Sequence, residues 1–186
     1  MATTKLFFAG SGGQGVLTMG QMLTYAAMYA DMNATWLPSY GPEMRGGTAN
    51  CTVVISPDKP VSCPLIYEAD DVVVMNLPSL IKFESLVKPG GNLFVNSSLI
   101  EQKATRDDIN VYYVPANDIA LKLGNARTAN TVMLGALMSV SPVVPVEMVY
   151  KIMEKTFSGR KAHLLDINKT AFHAWENSQQ AIDNRQ

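Results

Sequence analysis

Short apolar runs rich in β-forming residues alternate along this chain with segments whose apolar residues recur at helical spacing. The apolar runs predict strands at residues 5–9, 34–37, 50–55, 71–76, 92–95 and 111–114. The helical spacing predicts helices at residues 15–30, 79–88, 118–123, 125–140, 145–157 and 164–183. Strands therefore dominate the first two thirds of the chain, and helices dominate the last third.

This alternation predicts an α/β fold with an open, mostly parallel sheet of the Rossmann or flavodoxin-like kind. We expect helices on both faces of the sheet and a helical C-terminal third. No long linker, internal repeat or low-complexity segment divides the sequence. Residues 1–186 are therefore predicted to form a single domain.

The composition is apolar, with 47% hydrophobic and 17% charged residues, where about 25% charged is ordinary. Two explanations are open: strands buried on both faces of a covered sheet, or a face packed against a partner chain. The net charge of −1 and the absence of basic clusters argue against nucleic acid as a partner. No apolar run reaches the length of about 18 to 20 residues that a membrane span needs. The N-terminus does not resemble a signal peptide, so the predicted location is the cytoplasm.

The chain lacks the residue groups of a self-sufficient catalyst. Its two cysteines, Cys51 and Cys63, match no metal or cluster motif, and Cys51 is predicted to be a buried small hydrophobe. Neither His163 nor His173 has a Cys or acid at ligand spacing. No motif of nucleophilic catalysis is recognisable, so the sequence favours a binding or assembly unit.

A glycine-rich loop follows the first predicted strand, in the stretch KLFFAGSGGQGVLTMG. It fits G-x-G-x-x-G and consists of Gly10, Ser11, Gly12, Gly13, Gln14 and Gly15. Backbone N–H groups at such a strand-to-helix turn, with the helix dipole, form a site suited to phosphate or pyrophosphate. Gly12 allows a ligand or another backbone to come close, and the Gln14 amide offers one more hydrogen bond.

Two checks weaken a dinucleotide interpretation of this loop. The ribose-binding acid expected about 20 residues later is missing at the end of the second strand, since Asp31 precedes that strand. Val16 and Leu17 stand where a Walker A loop needs Lys and Ser or Thr. Three interpretations stay open: a purely structural turn, a site for a phosphate-bearing ligand within a larger assembly, and classical NAD or FAD binding.

A second stretch, LPSYGPEMRGGTANCTVV, places the loop from Tyr40 to Gly47 between two strands. The end of the second strand is where open α/β sheets bind ligands, and Arg45 is suited to bidentate binding of a phosphate or carboxylate. The alternative is that Glu43 neutralises Arg45 as a local ion pair.

A third stretch, GNARTANTVMLGALM, reads as a helix that begins near Gly124 and Asn125. Asn130 and Thr131 offer polar groups on that helix, and Gly135 allows another helix to pack closely. For Asn130 the alternative is capping or packing against a neighbouring loop.

Together, FAGSGGQGV, SYGPEMRGGTANCTVVIS and NARTANTVMLGAL resemble the gamma subunit, or gamma domain, of 2-oxoacid:ferredoxin oxidoreductases. The resemblance extends from about residue 5 to residue 157. It is strongest to the 2-oxoglutarate type, with the pyruvate and branched-chain types as alternatives.

The resemblance implies a multi-subunit enzyme that decarboxylates a 2-oxoacid on thiamine pyrophosphate. Such an enzyme passes the electrons through iron–sulfur clusters to ferredoxin and the acyl group to coenzyme A. It implies alpha and beta partner subunits and, where one exists, a delta subunit, which hold the thiamine pyrophosphate and the clusters. The two cysteines here agree, because a cluster needs four cysteine ligands.

For this chain the resemblance implies a role in assembly and on the coenzyme A side of the reaction. The predicted ligand-binding residues are Gly10, Ser11, Gly12, Gly13, Gln14, Gly15, Tyr40, Arg45 and Asn130. The competing hypotheses are a stand-alone dinucleotide-binding oxidoreductase and a purely structural scaffold subunit.

Overall fold

The computed structural model describes residues 2–39 and 48–183. Within this part of the chain six strands form one sheet in the order β2-β3-β1-β4-β5-β6. The strands are β1 (Thr4–Ser11), β2 (Asn33–Ser39), β3 (Thr48–Ser56), β4 (Ala69–Val74), β5 (Val87–Asn96) and β6 (Asn110–Val114). The predicted residues Tyr40 and Arg45 lie outside the described residues.

Six α-helices accompany the described strands. They are α1 (Val16–Tyr29), α2 (Leu77–Phe83), α3 (Ala116–Lys122), α4 (Ala129–Val140), α5 (Val146–Thr156) and α6 (Leu165–Asp183). Short 3-10 turns span Glu84–Leu86, Ala126–Thr128 and Gly159–Leu164. The predicted α/β class, with a helical last third, is confirmed.

The sheet is mostly parallel, as predicted, but one strand is reversed. The pairs β1–β4, β4–β5 and β5–β6 are parallel, whereas β3 is antiparallel to both β1 and β2. Only eight residues, 40–47, separate β2 from β3 in the sequence. A connection this short suits an antiparallel pair and is too short for a parallel crossover.

The boundary between α2 and β5 differs from the prediction. The expected helix at 79–88 is shorter, ending at Phe83, and β5 already begins at Val87. Pro89, Gly90 and Gly91, expected to separate helix from strand, lie inside β5, where the pairing with β4 shifts register. Buried Val87 anchors the start of this strand, and Gly90 adopts a φ of 73° in the irregular stretch.

The core has two layers because alternate strand residues point to opposite faces of the sheet. On the first face Leu6, Phe8, Val73 and Phe94 pack with the buried sides of α1, α3, α4, α5 and α6. On the second face Phe7, Val72, Val74 and Leu93 pack with α2 and the segments around it. The central strands are therefore apolar on both faces, which explains the run VVV in β4.

The helices α4 and α6 form the tightest contact of the first layer. A Cβ at position 135 would overlap the backbone carbonyl of Phe172, so only glycine fits there. One turn away the Thr131 hydroxyl donates to Asn168 Oδ1 at 2.7 Å, and both residues are buried. The close packing predicted at Gly135 is confirmed, and Thr131 serves this helix pair.

A buried carboxylate fastens the amino-terminal edge of the sheet. Asp71 on β4 is 1% exposed and accepts hydrogen bonds from Asn92 Nδ2 at 2.7 Å and from Ser141 Oγ at 2.9 Å. Ser141 directly follows α4, so the carboxylate joins two strands to the end of that helix. Burial raises the pKa of Asp71 above its usual range, and the two hydrogen bonds only partly offset this.

Gly135→Ala is expected to lower the free energy of unfolding by about 3 kcal/mol, because α6 must move away from α4. Denaturant unfolding of the purified chain measures this effect. Ser139→Ala, an exposed change on the same helix, is the matched control and should have little effect. Equal stabilities of the two variants would contradict the close contact.

Asp71→Asn is expected to change how stability depends on pH. Since the folded-state pKa is raised, the wild-type carboxyl contributes stability that is fully present below the unfolded pKa of about 3.9. This contribution is lost as pH rises through the folded pKa. The unfolding free energy of Asp71→Asn minus that of wild type should therefore increase from pH 4 upward and then level off. If denaturant unfolding shows that this difference in unfolding free energy does not depend on pH, burial does not raise the pKa of Asp71.

Candidate functional site

The carboxyl ends of β1 and β4 form the topological switch point of the sheet. From β1 the chain crosses the first face through α1 towards β2, whereas from β4 it crosses the second face through α2 towards β5. Neighbouring parallel strands whose connections leave in opposite directions create a crevice outside their carboxyl ends. The predicted glycine loop lies at this crevice.

Glycine is required at several positions of this loop. Gly13 and Gly15 have φ values of 91° and 75°, which favour glycine, and Gly15 caps the start of α1. A Cβ on Gly10 would lie 2.7 Å from Gln14 Oε1 and 2.9 Å from the Met75 Cβ. The loop is thus shaped by backbone freedom at its exposed end and by close packing at its base.

The Gln14 side chain turns inward and braces the loop. Its Oε1 accepts a hydrogen bond from the Ser11 N–H at 2.7 Å, and its Nε2 donates to the Met75 carbonyl at 3.1 Å. Met75 follows β4, so this amide spans the crevice between the two strand ends. The structure therefore places Gln14 in a supporting position beneath the loop.

A second bridge across the crevice joins Asn76 to Ser11. Asn76 Nδ2 donates to Ser11 Oγ at 2.5 Å, while Asn76 Oδ1 accepts from the Ser79 N–H at 2.9 Å and caps α2. Sequence reasoning missed Asn76 because it was read as the end of a strand. The signal was present, since an Asn followed within two residues by proline is a helix-start pattern.

The start of α4 packs against the glycine loop from the first face. A Cβ on Gly15 would lie 2.5 Å from Asn130 Nδ2, so the Asn130 side chain rests on this glycine. The structure therefore brings Asn130 together with Gly10–Gly15, as the alternative of packing against a neighbouring loop expected. Two helices, α1 and α4, begin beside the same loop.

The segment that contains Tyr40 and Arg45 is connected to this edge of the sheet. Its flanking residues are Ser39, which pairs with Asn50, and Thr48, which pairs with Ser11 at the end of β1. Both ends of the segment therefore lie at the edge where the glycine loop begins. The binding roles of Tyr40 and Arg45 remain predictions.

The loop is suited to an oxygen anion. The N–H groups of Gly12 and Gly13 form no hydrogen bond within the described part of the chain, and both glycines are exposed. Neither α1 nor α4 has an acidic residue in its first turn, so their N-terminal dipoles are not neutralised there. Unpaired N–H groups and positive helix ends together attract phosphate or carboxylate.

The described residues give no support to a dinucleotide ribose site. The strand β2 contains no acid, and Asp31 lies before it in a turn with a φ of 56°. Residues 2–39 and 48–183 contain no cluster of three or more side chains that could hold a metal ion. No helix in these ranges is long and apolar enough to cross a membrane.

The two thiols lie in different environments. Cys51 is fully buried beneath α1, its Sγ 3.8 Å from the Val16 carbonyl, and burial raises its pKa to about 12. Cys63 is exposed in the segment between β3 and β4. The prediction that Cys51 is a buried small hydrophobe is confirmed.

Residues 5–174 match the family described as pyruvate ferredoxin/flavodoxin oxidoreductase. The chain belongs to this family. The family is one of oxidoreductases, so the resemblance that the three sequence stretches carry is confirmed at this level.

This chain is similar to curated relatives of different lengths. It is 40% identical over 165 residues to the ketoisovalerate oxidoreductase subunit VorA of Methanothermobacter thermautotrophicus, covering 88% of this chain and 34% of VorA. The chain thus spans about a third of that relative. It is 36% identical over 152 residues to the 2-oxoglutarate synthase subunit KorC of Methanocaldococcus jannaschii, covering 79% of this chain and 80% of KorC.

Solved structures share the fold. The gamma subunit of a keto/oxoacid ferredoxin oxidoreductase from Geobacter sulfurreducens superposes with a TM-score of 0.80 at 27% identity, covering 96% of this chain and 99% of that one. A 2-oxoglutarate:ferredoxin oxidoreductase from Magnetococcus marinus, with 2-oxoglutarate, coenzyme A and succinyl-CoA bound, gives 0.88 at 21% identity. That match covers 97% of this chain and 32% of the other, and it supports the fold alone.

Proposed function

We propose that this chain is the gamma subunit of a 2-oxoacid:ferredoxin oxidoreductase. That enzyme oxidatively decarboxylates a 2-oxoacid to an acyl-CoA and reduces ferredoxin in the cytoplasm. A 2-oxoglutarate synthase subunit matched over 80% of its length and a gamma subunit matched over 99% of its length support this assignment. Alpha and beta subunits, and a delta subunit where one exists, are its proposed partners.

The thiamine pyrophosphate and the iron–sulfur clusters are assigned to those partners. A four-cysteine cluster cannot be built from the two cysteines of this sequence, of which Cys51 is buried with a raised pKa. The chemistry that thiamine pyrophosphate supplies, decarboxylation of the 2-oxoacid, therefore needs other chains. This chain contributes binding and assembly.

The glycine loop is proposed as the coenzyme A side of the enzyme. The observation that carries this proposal is the pair of N–H groups on Gly12 and Gly13, just before α1, that have no partner among residues 2–39 and 48–183. Coenzyme A carries a pyrophosphate and a 3′-phosphate, which match an anion site beside two helices that have no acidic residue in their first turns. Ser11, Gly12 and Gly13 would contact phosphate, whereas Gly10, Gln14, Gly15 and Asn130 would keep the loop in shape. Tyr40 and Arg45 are proposed to approach the same ligand from the neighbouring loop.

For the 2-oxoacid we propose 2-oxoglutarate, because the three sequence stretches resemble the 2-oxoglutarate type and the relative named for 2-oxoglutarate synthase is matched over 80% of its length. Relatives named for ketoisovalerate, 2-oxoglutarate and pyruvate match at 40%, 36% and 32% identity. Branched-chain 2-oxoacids and pyruvate are therefore the specific alternatives.

The subunit assignment is tested by isolating the complex. The chain is tagged in its own cells, purified without oxygen, and the intact assembly is weighed by native mass spectrometry. We expect co-purifying chains that carry thiamine pyrophosphate and iron–sulfur clusters, and ferredoxin reduction that is fastest with 2-oxoglutarate. Isolation of a lone chain or homo-oligomer with a bound dinucleotide would overturn the assignment.

The coenzyme A role is tested by Gly12→Asp with Gly12→Asn as the matched neutral control. A carboxylate at this exposed position should repel phosphate and raise the KM for coenzyme A by about ten-fold relative to Gly12→Asn, since 1.4 kcal/mol corresponds to that factor. The KM for the 2-oxoacid should be equal in the two variants. Equal KM values for coenzyme A in the two variants would show that this loop does not bind a phosphate of coenzyme A.

A further inference from the structure

The orientation of the Asn76 amide is fixed by its partners. Its oxygen must face the Ser79 N–H, because a backbone N–H needs an acceptor, and this contact is 2.9 Å. The amide nitrogen therefore faces Ser11 Oγ, at 2.5 Å, and donates to it. No rotation of the amide satisfies both contacts in the opposite sense.

The Ser11 hydroxyl is consequently committed as an acceptor towards Asn76, and its own proton remains to be donated. Ser11 Oγ donates no hydrogen bond to any residue among 2–39 and 48–183. The side chain is half-buried at the crevice, beside the exposed Gly12 and Gly13. A serine hydroxyl supplies one donor, and here that donor is available to a ligand.

The Ser11 backbone is held at the same time. Its N–H donates to Gln14 Oε1 at 2.7 Å, and its carbonyl accepts from the Gln14 N–H at 3.2 Å. Both backbone groups and the side-chain oxygen of Ser11 therefore have partners. Within the described residues, only the hydroxyl hydrogen of Ser11 has none. It joins the N–H groups of Gly12 and Gly13, which have no partner in the described part of the chain, as a third donor.

We propose that Asn76 is a positioning residue that fixes the Ser11 hydroxyl as a hydrogen-bond donor to a phosphate oxygen bound at the glycine loop. Asn76 acts through Ser11 and does not touch the ligand. The proposal rests on the coenzyme A role proposed above. It gives the site a preference for groups that only accept hydrogen bonds, because a ligand donor would meet the Ser11 proton.

The test uses the assembled enzyme and the substitutions Ser11→Ala and Asn76→Ser, singly and combined. Serine still caps α2, but it lacks the amide nitrogen that reaches Ser11. Each single change should raise the KM for coenzyme A by about ten-fold, with kcat and the KM for the 2-oxoacid changed less than about two-fold. The double variant should be no worse than either single one, because both remove the same hydrogen bond to the ligand.

Asn125→Ser is the matched control. Asn125 caps the 3-10 turn before α4 by accepting from the Arg127 N–H at 3.1 Å, and its amide nitrogen has no hydrogen-bond partner in the described ranges. The same chemical change there should leave the KM for coenzyme A unaltered. If Asn76→Ser does not assemble, Asn76→Asp replaces it. Its carboxylate would accept the Ser11 proton and so withdraw it from the ligand, and the repulsion of phosphate by the added charge is measured in the Ser11→Ala background.

Truncated substrates identify the phosphate. The Ser11→Ala effect should persist with dephospho-CoA if the pyrophosphate is bound, and disappear with it if the 3′-phosphate is bound. It should vanish with pantetheine, which has no phosphate, and persistence there would overturn the proposal.

The outcomes separate this proposal from the proposed function. If Gly12→Asp raises the KM for coenzyme A but Asn76→Ser does not, the coenzyme A role stands and the positioning role of Asn76 is wrong. Additive effects of Ser11→Ala and Asn76→Ser would overturn it in the same way. If Gly12→Asp, Ser11→Ala and Asn76→Ser are all without effect, the coenzyme A role itself fails and this inference falls with it.

Discussion

Parallel pairing of β1 with β4, from Leu6 opposite Asp71 to Ala9 opposite Val74, makes both strands finish at one edge of the sheet. Their connecting helices leave on opposite faces, so the edge between them is left open. The glycine loop, the Asn76 cap and the start of α4 all meet at this edge because the pairing brings them there. The position of the candidate site therefore depends on the four residue pairs between β1 and β4.

The sequence alone identified the elements and most of the loop residues, since periodicity and glycine spacing are local signals. Strand direction is not local, which is why the reversal of β3 was not foreseen. The inward turn of Gln14 was equally hidden, because its partner, the Met75 carbonyl, lies on another strand. Asn76 was assigned to the preceding strand for a different reason. The buried apolar run of that strand ends at Asn76, and this run is a stronger signal than the helix-start pattern of an Asn followed by a proline two residues later.

The apolar composition has a partly internal explanation. Strands β4 and β5 are buried on both faces, and α4 is buried almost all round between the sheet and α6. Apolar side chains also remain outside, with Ile81 on α2 at 65% exposure and Tyr67 before β4 at 95%. Others lie on the opposite face, with Leu121 on α3 at 62% exposure and Met28 on α1 at 55%. The covered sheet therefore accounts for the core, and the second explanation, a partner face, stays open for both faces.

The residues that hold the glycine loop in shape lie far from it in the sequence, and this has a consequence for biosynthesis. Ser11 and Gln14 are synthesised before their partners Asn76 and Met75, and Gly15 before Asn130, whose side chain covers it. The nascent glycine loop therefore lacks its shape until Asn130 has been synthesised. Contacts this distant in sequence form slowly, so the loop takes its final shape only once these long-range contacts are made.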